Sequence, residues 1–136
     1  MRVSNRLDYA VRALLELTLR AGQGPVPTRE IARAQAIPEA FAHQVLGALV
    51  KDGMVRTLRG PGGGHQLIQA PEATTLLDIV TAVEGRSTPG PDAPFDAVSD
   101  VWDELDAIQR HFLSSVTLAS LARAARERTV SVGYAI

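Results

Sequence analysis

The chain turns sharply near its middle at a glycine-rich stretch, Arg59-Gly60-Pro61-Gly62-Gly63-Gly64-His65. Two short runs with the composition of β-strands flank it, at residues 54–58 and 66–68. The pattern predicts a β-hairpin with a flexible tip, because glycine adopts positive φ angles without strain. A tip that is nearly free of side chains and lies beside Arg59 suits the narrow, anionic minor groove of DNA.

Two other interpretations of these glycines are open. A phosphate-binding loop needs Gly-Lys-Ser/Thr at the start of a helix, whereas a strand-like run follows the stretch here. A loose hairpin without a ligand is the second alternative. The segments that precede the hairpin decide between a DNA-binding wing and these two alternatives.

Two helices are predicted at the start of the chain. Apolar residues at helical spacing indicate the first at about residues 5–20, with Asn5 and Asp8 in the positions of a capping box. The second helix is short, at about residues 28–35, and Thr28 is its predicted N-cap. Glycine and proline residues between the two helices indicate a turn.

A third helix is predicted to begin at Pro38 and to end before Gly53, since glycine suits the left-handed conformation that closes many helices. Its inward positions are predicted to be Phe41, Val45 and Leu49. Its other face carries small or hydrogen-bonding residues, namely Ala40, His43, Gln44, Gly47 and Lys51. Such a slim polar face suits contact with base edges in the major groove of DNA.

The order of helix, short helix, tight turn, helix and hairpin is that of a winged helix-turn-helix. We therefore predict a mainly α fold with a small β-hairpin wing. We expect base contacts from His43 and Gln44, and phosphate contacts from Thr28 and Arg29. The alternative for His43 is a surface histidine without a role. The full candidate DNA-binding set is Thr28, Arg29, Ala40, Phe41, His43, Gln44, Lys51, Arg59, Gly60, Pro61, Gly62, Gly63 and Gly64.

The charge distribution supports a polyanionic partner. The whole chain has a net charge of −1, but residues 1–70 hold nine Lys/Arg and five Asp/Glu, a net charge of +4. Residues 71–136 carry a net charge of −5. Because association follows the local field more than the net charge, the first half of the chain is predicted to face DNA.

Several classes of function are not expected. The chain has 136 residues, enough for one domain, and no cysteine, so it cannot form a disulfide or a thiolate metal site. Its three histidines are scattered, at His43, His65 and His111, and no catalytic constellation is recognisable. We expect no enzyme activity, no cofactor and no metal. No apolar run suits a membrane span or a secretory leader, so a cytoplasmic location is expected.

The second half of the chain predicts a dimerisation element. Thr75 and Asp78 indicate the cap of a fourth helix that stops at Gly85, and a proline-rich loop follows at residues 86–98. The next helix, from about Ala97, repeats apolar residues at steps of three and four, from Val98 through Val101, Leu105 and Ile108 to Phe112, with Trp102 beside them. This spacing predicts a coiled-coil seam and hence a homodimer, with Val101, Trp102, Leu105, Ile108 and Phe112 at the interface; a core helix is the alternative.

These elements suggest four divisions of the chain. Residues 1–85 form the winged helix-turn-helix, residues 86–98 the loop, and residues 99–128 the dimerisation helix with a last helix that Thr117 caps. Residues 129–136 are predicted to form a C-terminal tail.

Seven short motifs spread over nearly the whole chain resemble one family. They are Met1-Arg2-Val3-Ser4, Tyr9-Ala10-Val11-Arg12-Ala13, Gly24-Pro25-Val26-Pro27, Ile31-Ala32, Arg59 to Gly64, Ala82-Val83-Glu84-Gly85 and Thr117-Leu118-Ala119-Ser120-Leu121. In these the chain resembles the Rrf2 family of transcription regulators. The resemblance implies a dimer on a palindromic operator, base contacts from Ala40, His43 and Gln44, and a minor-groove arginine at Arg59.

Many Rrf2 regulators hold an iron–sulfur cluster through three cysteines in the loop that corresponds to about residues 86–100. That loop has no cysteine here, so no cluster is expected. Asp8 matches a carboxylate ligand of the cluster in some relatives, but the helix cap predicted above accounts for it without thiolates.

Within the family, the chain is similar to the cysteine-free branch of the cysteine-metabolism repressor, which acts in a complex with cysteine synthase, also called O-acetylserine sulfhydrylase. Partners of that enzyme insert a C-terminal peptide that ends in isoleucine, and Gly133-Tyr134-Ala135-Ile136 resembles such a peptide. The resemblance implies cysteine synthase as a partner and a repressor of cysteine metabolism. The alternatives are a tail that folds back on its own dimer, and gating by a small molecule between the DNA-binding and dimerisation helices.

Overall fold

The computed structural model describes residues 1–85 and 94–134, and only the backbone of residues 132–134. In the described ranges, six helices and one antiparallel hairpin follow each other along the chain. They are α1 (Asn5–Leu19), α2 (Thr28–Gln35), α3 (Glu39–Lys51), β1 (Val55–Leu58), β2 (Gly64–Leu67), α4 (Leu76–Glu84), α5 (Ala97–Ser115) and α6 (Leu118–Tyr134), with a 3-10 turn at Pro71–Ala73. The predicted fold class, mainly α with a small hairpin wing, is confirmed.

Helix α1 is the centre of the core. It packs against α2, α3, α4 and α6, and its Ala13 and Leu14 have no solvent-exposed surface. Leu46 of α3, Ile79 of α4 and Leu118 of α6 close the core around it. Each such large aliphatic side chain stabilises the fold by about 1.5–3 kcal/mol through burial, so the helices that carry the candidate DNA-binding residues rest on one packed core.

The start of α1 differs from the prediction. Its N-cap is Ser4, whose Oγ accepts a hydrogen bond from the Leu7 backbone N–H at 3.1 Å. The predicted capping box of Asn5 and Asp8 is wrong, since Asp8 accepts a hydrogen bond from Arg12 Nε at 2.9 Å, one helical turn on. Ser4 Oγ also donates to Glu84 Oε1 at 2.6 Å, which ties the start of α1 to the end of α4.

The cap of α2 was also predicted wrongly. Pro27 is the N-cap, without a side-chain cap hydrogen bond, and Thr28 is already the first helical residue. The helix ends at Ala36, whose left-handed conformation, with φ 53° and ψ 42°, turns the chain toward α3. The Ile37 N–H donates to the Ala32 carbonyl at 2.9 Å, which closes the tight turn of the helix-turn-helix.

A short segment before α2 pairs with the second strand of the hairpin. Val55 pairs with Leu67 and Leu58 with Gly64, so β2 begins two residues earlier than predicted. Val26, in the segment before α2, forms an isolated bridge with His65: the Val26 N–H donates to the His65 carbonyl at 2.9 Å, and the His65 N–H donates to the Val26 carbonyl at 2.8 Å. The wing is therefore fastened to the entry of α2.

In the C-terminal half, the predicted starts of all three helices are confirmed, including the cap of the last helix by Thr117, whereas the predicted end of the last helix is not. The capping box of Thr75 and Asp78 is present at the start of α4. Helix α6 continues to Tyr134, so its predicted end at Arg128 is wrong, and residues 129–134 of the predicted tail are helical. Residues 86–93 of the predicted loop, and Ala135 and Ile136, lie outside the described residues. None of the helices in the described ranges combines the length and apolar character needed to cross a membrane.

Candidate nucleic-acid interface

The polar face of α3 is open to solvent, as predicted. Ala40, His43, Gln44, Gly47 and Lys51 are all exposed, while Ala42, Val45, Leu46 and Leu49 are buried. His43 Nε2 lies 3.8 Å from the Glu39 carboxylate on the preceding turn, which holds the imidazole loosely on the helix surface. The exposed face thus offers an imidazole, an amide and an ammonium group on a helix slim enough to enter a major groove.

Phe41 was predicted to be buried, and this is wrong, since 51% of its surface is exposed. Ala42 takes the inward position instead and packs with Ala32 and Ile37 in the turn between α2 and α3. Ala42 has no exposed surface in that contact. Phe41 rests on Tyr9 of α1, with ring centroids 6.0 Å apart and planes tilted by 47°, a favourable aromatic geometry.

The wing tip requires glycine for two different reasons. Gly60 and Gly62 have φ angles of 96° and 75°, which L side chains rarely adopt. Gly63 and Gly64 are required by close approach: a Cβ on Gly63 would lie 2.8 Å from the Gly60 carbonyl oxygen, and one on Gly64 would lie 2.7 Å from the Pro27 nitrogen. The Gly63 N–H donates to the Gly60 carbonyl at 2.9 Å, so the tip is an ordered turn that presents Arg59, Gly60, Pro61 and Gly62 to solvent.

His65 holds the base of the wing to α2. In the sequence it was only one of three scattered histidines. Its Nε2 shares a hydrogen bond with Thr28 Oγ1 at 2.9 Å, and its Nδ1 shares one with Thr57 Oγ1 at 3.2 Å. Burial of the ring lowers the pKa of His65 below its ordinary value, and the nearby His43 lowers it further. Helix α3 also packs against β1 of the wing, so the wing contacts both helices of the helix-turn-helix.

The two predicted phosphate-binding residues of α2 differ in their surroundings. Arg29 is exposed, whereas Thr28 is partly buried with its hydroxyl engaged by His65. Because that hydroxyl already has a partner, a contact from Thr28 to a phosphate would come from its backbone N–H at the start of the helix.

A buried carboxylate orients α2 against α1. Glu16 accepts hydrogen bonds from Arg20 Nε at 2.6 Å and from Gln35 Nε2 at 2.9 Å, and Arg20 also contacts Glu30 at 2.8 Å. The hydrogen bond with Glu16 is the main cause that raises the pKa of Arg20 above its ordinary value. The network holds both ends of α2 and engages Arg20 with two carboxylates.

The residues do not fit an iron–sulfur cluster or another metal centre. The whole sequence contains no cysteine to supply thiolate ligands. Within residues 1–85 and 94–134, no group of three histidine or carboxylate side chains could hold a metal ion.

Comparison with known proteins decides the family. Residues 3–124 match the model of the Rrf2 family, described as an iron-dependent transcriptional regulator. The chain belongs to the Rrf2 family. The predicted resemblance is therefore confirmed, and the chain is a transcriptional regulator rather than an enzyme.

Related sequences carry the same description. A helix-turn-helix-type transcriptional regulator of Mycobacterium tuberculosis is 34% identical over 131 residues, which span 90% of this chain and 81% of the relative. The transcriptional regulator IscR of Erwinia tasmaniensis is 33% identical over 129 residues, which span 89% of this chain and 78% of the relative.

Solved structures share the fold. IscR of T. potens superimposes with a TM-score of 0.83 at 30% identity, over 94% of this chain and 90% of that structure. CymR, the global cysteine regulator of B. subtilis, superimposes with a TM-score of 0.82 at 27% identity, over 91% of this chain and 98% of that structure. The shared fold, which includes the winged helix and the C-terminal helices, thus extends over nearly the full length of both solved structures.

Proposed function

We propose that this Rrf2 regulator binds a palindromic DNA operator as a homodimer and represses transcription from it. The observation that carries the proposal is that α3, whose exposed face is polar, packs against strand β1 of the ordered glycine wing, which His65 fastens to α2. A slim polar helix beside a wing with an arginine at its mouth matches one major groove and the adjacent minor groove. The site of action of such a repressor would be the cytoplasm.

Each part of this surface has a distinct role in the proposal. His43 and Gln44 contact base edges, and Ala40 leaves room for a base or its methyl group. Arg29, Lys51 and the start of α2 contact phosphates, while Phe41 supports the helix surface from the side of α1. Arg59 enters the minor groove at the tip of the wing, where the glycines allow the backbone to follow.

Homodimerisation is proposed through α5. The predicted seam residues Val98, Val101, Trp102, Leu105, Ile108 and Phe112 are between 44 and 62% exposed in the single chain. An apolar stripe of this length on a helix favours pairing with a second copy. Two α3 helices would then face half-sites about one helical turn of DNA apart, or a multiple of it, which is why the operator is proposed to be palindromic.

Selection of binding sites from random DNA duplexes tests this function. The purified protein is expected to enrich an inverted repeat with half-site centres about 10 base pairs apart or a multiple of that spacing. The enriched duplex should bind more tightly than its scrambled counterpart at the same salt concentration. Enrichment of no sequence, or of a single half-site, would contradict the proposal.

For the physiological role, we propose control of cysteine metabolism through a complex with cysteine synthase. The structural likeness to B. subtilis CymR and the absence of cysteine from the chain support this assignment. Because α6 is helical through Tyr134, insertion of all four residues Gly133-Tyr134-Ala135-Ile136 requires the last turn of the helix to unwind. Docking that relies on Ile136 and its carboxylate alone would avoid this cost.

Calorimetry of cysteine synthase with the regulator tests the partner. The intact chain is expected to bind, and the chain that lacks Ile136 to lose most of the affinity, since the carboxylate and the apolar side chain are the two anchors. Equal binding by both chains, or none by the intact one, would contradict the proposal.

Direct gating by a small molecule is a second candidate, and one feature of the structure favours it. A cleft of about 430 Å³ opens between the start of the chain, α4 and α5, in the position where a ligand would touch both the DNA-binding part and the dimerisation helix.

A further inference from the structure

The cleft between α4 and α5 has the size and lining of a small-molecule site. Its volume of about 430 Å³ lies in the usual range for ligand pockets. Leu77 and Val80 of α4 form an apolar wall, and both are partly buried. Charged side chains of both signs surround that wall, which is the lining expected for a ligand that carries both charges itself.

Two of those charged side chains are cations with hydrogen-bond donors to spare. The side chain of Arg2 forms no hydrogen bond or ion pair within residues 1–85 and 94–134. Arg110 of α5 donates its Nε to Asp106 at 3.0 Å, so its two terminal nitrogens remain available. A guanidinium group with such free donors is a strong binder of carboxylates.

The two carboxylates of the cleft also have room for another partner. Glu84 accepts one hydrogen bond, from Ser4 Oγ at 2.6 Å, and Asp106 accepts the one from Arg110. A carboxylate has about four lone-pair positions, so each can accept a further bond from an ammonium group.

We propose that this cleft binds a small α-amino acid, or a molecule with the same pair of charged groups. Its carboxylate would contact Arg2 and Arg110, its ammonium group Glu84 and Asp106, and an uncharged side chain would lie on the wall of Leu77 and Val80. The inference rests on the proposed function, since it names the signal of a DNA-binding regulator.

Binding in this cleft would affect operator binding through the geometry of the dimer. One wall is α4, which packs on α1 and is tied to it by the hydrogen bond of Ser4 with Glu84. The other wall is α5, which packs against α4 and carries the exposed seam. A ligand that bridges the two walls fixes the angle between the winged helix and the seam, and hence the distance between the two α3 helices.

Isothermal titration of the full-length protein with each standard L-amino acid tests the site. At least one amino acid with an uncharged side chain is expected to bind and to change the affinity for the selected operator. Arg2→Gln and Arg110→Gln should each raise its Kd about tenfold, because each removes a charge-assisted hydrogen bond. Arg126→Gln, which removes an exposed arginine of α6, is the matched control and should leave the Kd unchanged.

Arg110→Gln also removes the ion pair with Asp106, so its fold is checked by thermal unfolding. If that variant does not fold, Arg2→Gln carries the test. Binding that is unchanged in Arg2→Gln, or absent for every amino acid in a preparation that binds the operator, overturns the proposal. A preparation that binds no duplex selectively contradicts the proposed function instead, so the two failures are distinguishable.

Discussion

The winged-helix part of the molecule and helix α5 carry apolar residues at the same helical spacing, but only the first part buries them. Leu14 and Leu46 are fully enclosed by the helices around α1, whereas Leu105 and Ile108 of α5 are 44 and 60% exposed. Helical periodicity therefore identifies an apolar face and does not identify what covers it. For α5, the described residues of the same chain leave 44 to 62% of each seam side chain exposed.

The largest effect is expected from a charge placed in the seam of α5. Ile108→Glu should abolish dimerisation and lower operator affinity by more than about 100-fold, because one half-site alone gives little binding energy. Analytical ultracentrifugation and operator titration measure the two effects. The monomeric variant should stay folded and lose only the stability that association contributed, since Ile108 lies outside the core of the winged-helix part.

A monomer that keeps full operator affinity would contradict the dimer. A variant that fails to fold would show that α5 belongs to the core of its own chain, and the contrast between the two regions would be wrong. Glu104→Gln, at an exposed residue on the same helix, is the matched control and should leave dimerisation unchanged.

In the winged-helix part, loss of an apolar side chain should lower the stability of the fold rather than weaken dimerisation. Leu46→Ala should lower the free energy of unfolding by about 2–5 kcal/mol, because it leaves a cavity in the core next to α1. Leu105→Ala should weaken dimerisation instead and leave the stability of the dissociated chain nearly unchanged. Denaturant unfolding at several protein concentrations separates the two, because association stabilises the fold by mass action. The seam variant should make the midpoint less dependent on concentration, whereas the core variant should lower the midpoint at every concentration.

Much of the fold could be predicted from local patterns. The glycine and proline positions, the helix spacing and the Thr75 and Asp78 cap each depend on residues close in sequence. The turn to the left-handed conformation at Ala36 was not predicted in detail, because alanine carries no signal for it and the packing of α2 on α3 imposes it. The predicted end of α6 was placed in the polar run at residues 126–129. That run contains no helix breaker, so the helix continues through it.

Errors in the candidate site came from tertiary contacts. Phe41 and Ala42 are neighbours, and the predicted helical spacing put the larger one in the core, but Ala42 is the one that packs against Ala32 and Ile37. Thr28 is of a residue type that often caps helices, yet its hydroxyl forms a hydrogen bond with His65, which is 37 residues away in the sequence. The hairpin turn predicted from the glycines of the wing is present, and Gly63 and Gly64 are also needed there because a Cβ on either would approach backbone atoms too closely.

The specificity of the winged-helix part can be tested at the residues proposed to contact bases. Gln44→Ala should lower the affinity for the selected operator by about 1–3 kcal/mol and leave random DNA nearly unaffected, because it removes hydrogen bonds to a base edge. Fluorescence anisotropy with both duplexes at one salt concentration measures the ratio. Equal losses on both duplexes would assign Gln44 to phosphate contact and would move base recognition away from this face.

The smallest effect is expected from protonation of His65, and it also distinguishes the two regions. His65 is held between Thr28 and Thr57 at the base of the wing, whereas His111 is exposed on α5. Burial lowers the pKa of His65 below the ordinary 6.5, with a further contribution from His43, so the folded chain binds a proton less readily than the unfolded chain. The resulting stability is complete above about pH 6.5 and is lost as the pH falls through that value toward the folded pKa.

Denaturant unfolding at about pH 7.5 and pH 5 measures this loss, in a range where histidine changes its charge. His65→Gln should show a smaller drop in the free energy of unfolding between the two pH values than the wild type, while His111→Gln should show the same drop. An equal pH dependence in all three proteins would mean that the ring of His65 is solvated in the folded state. The wing would then be held to α2 by the backbone pair of Val26 and His65 alone, because that pair does not titrate.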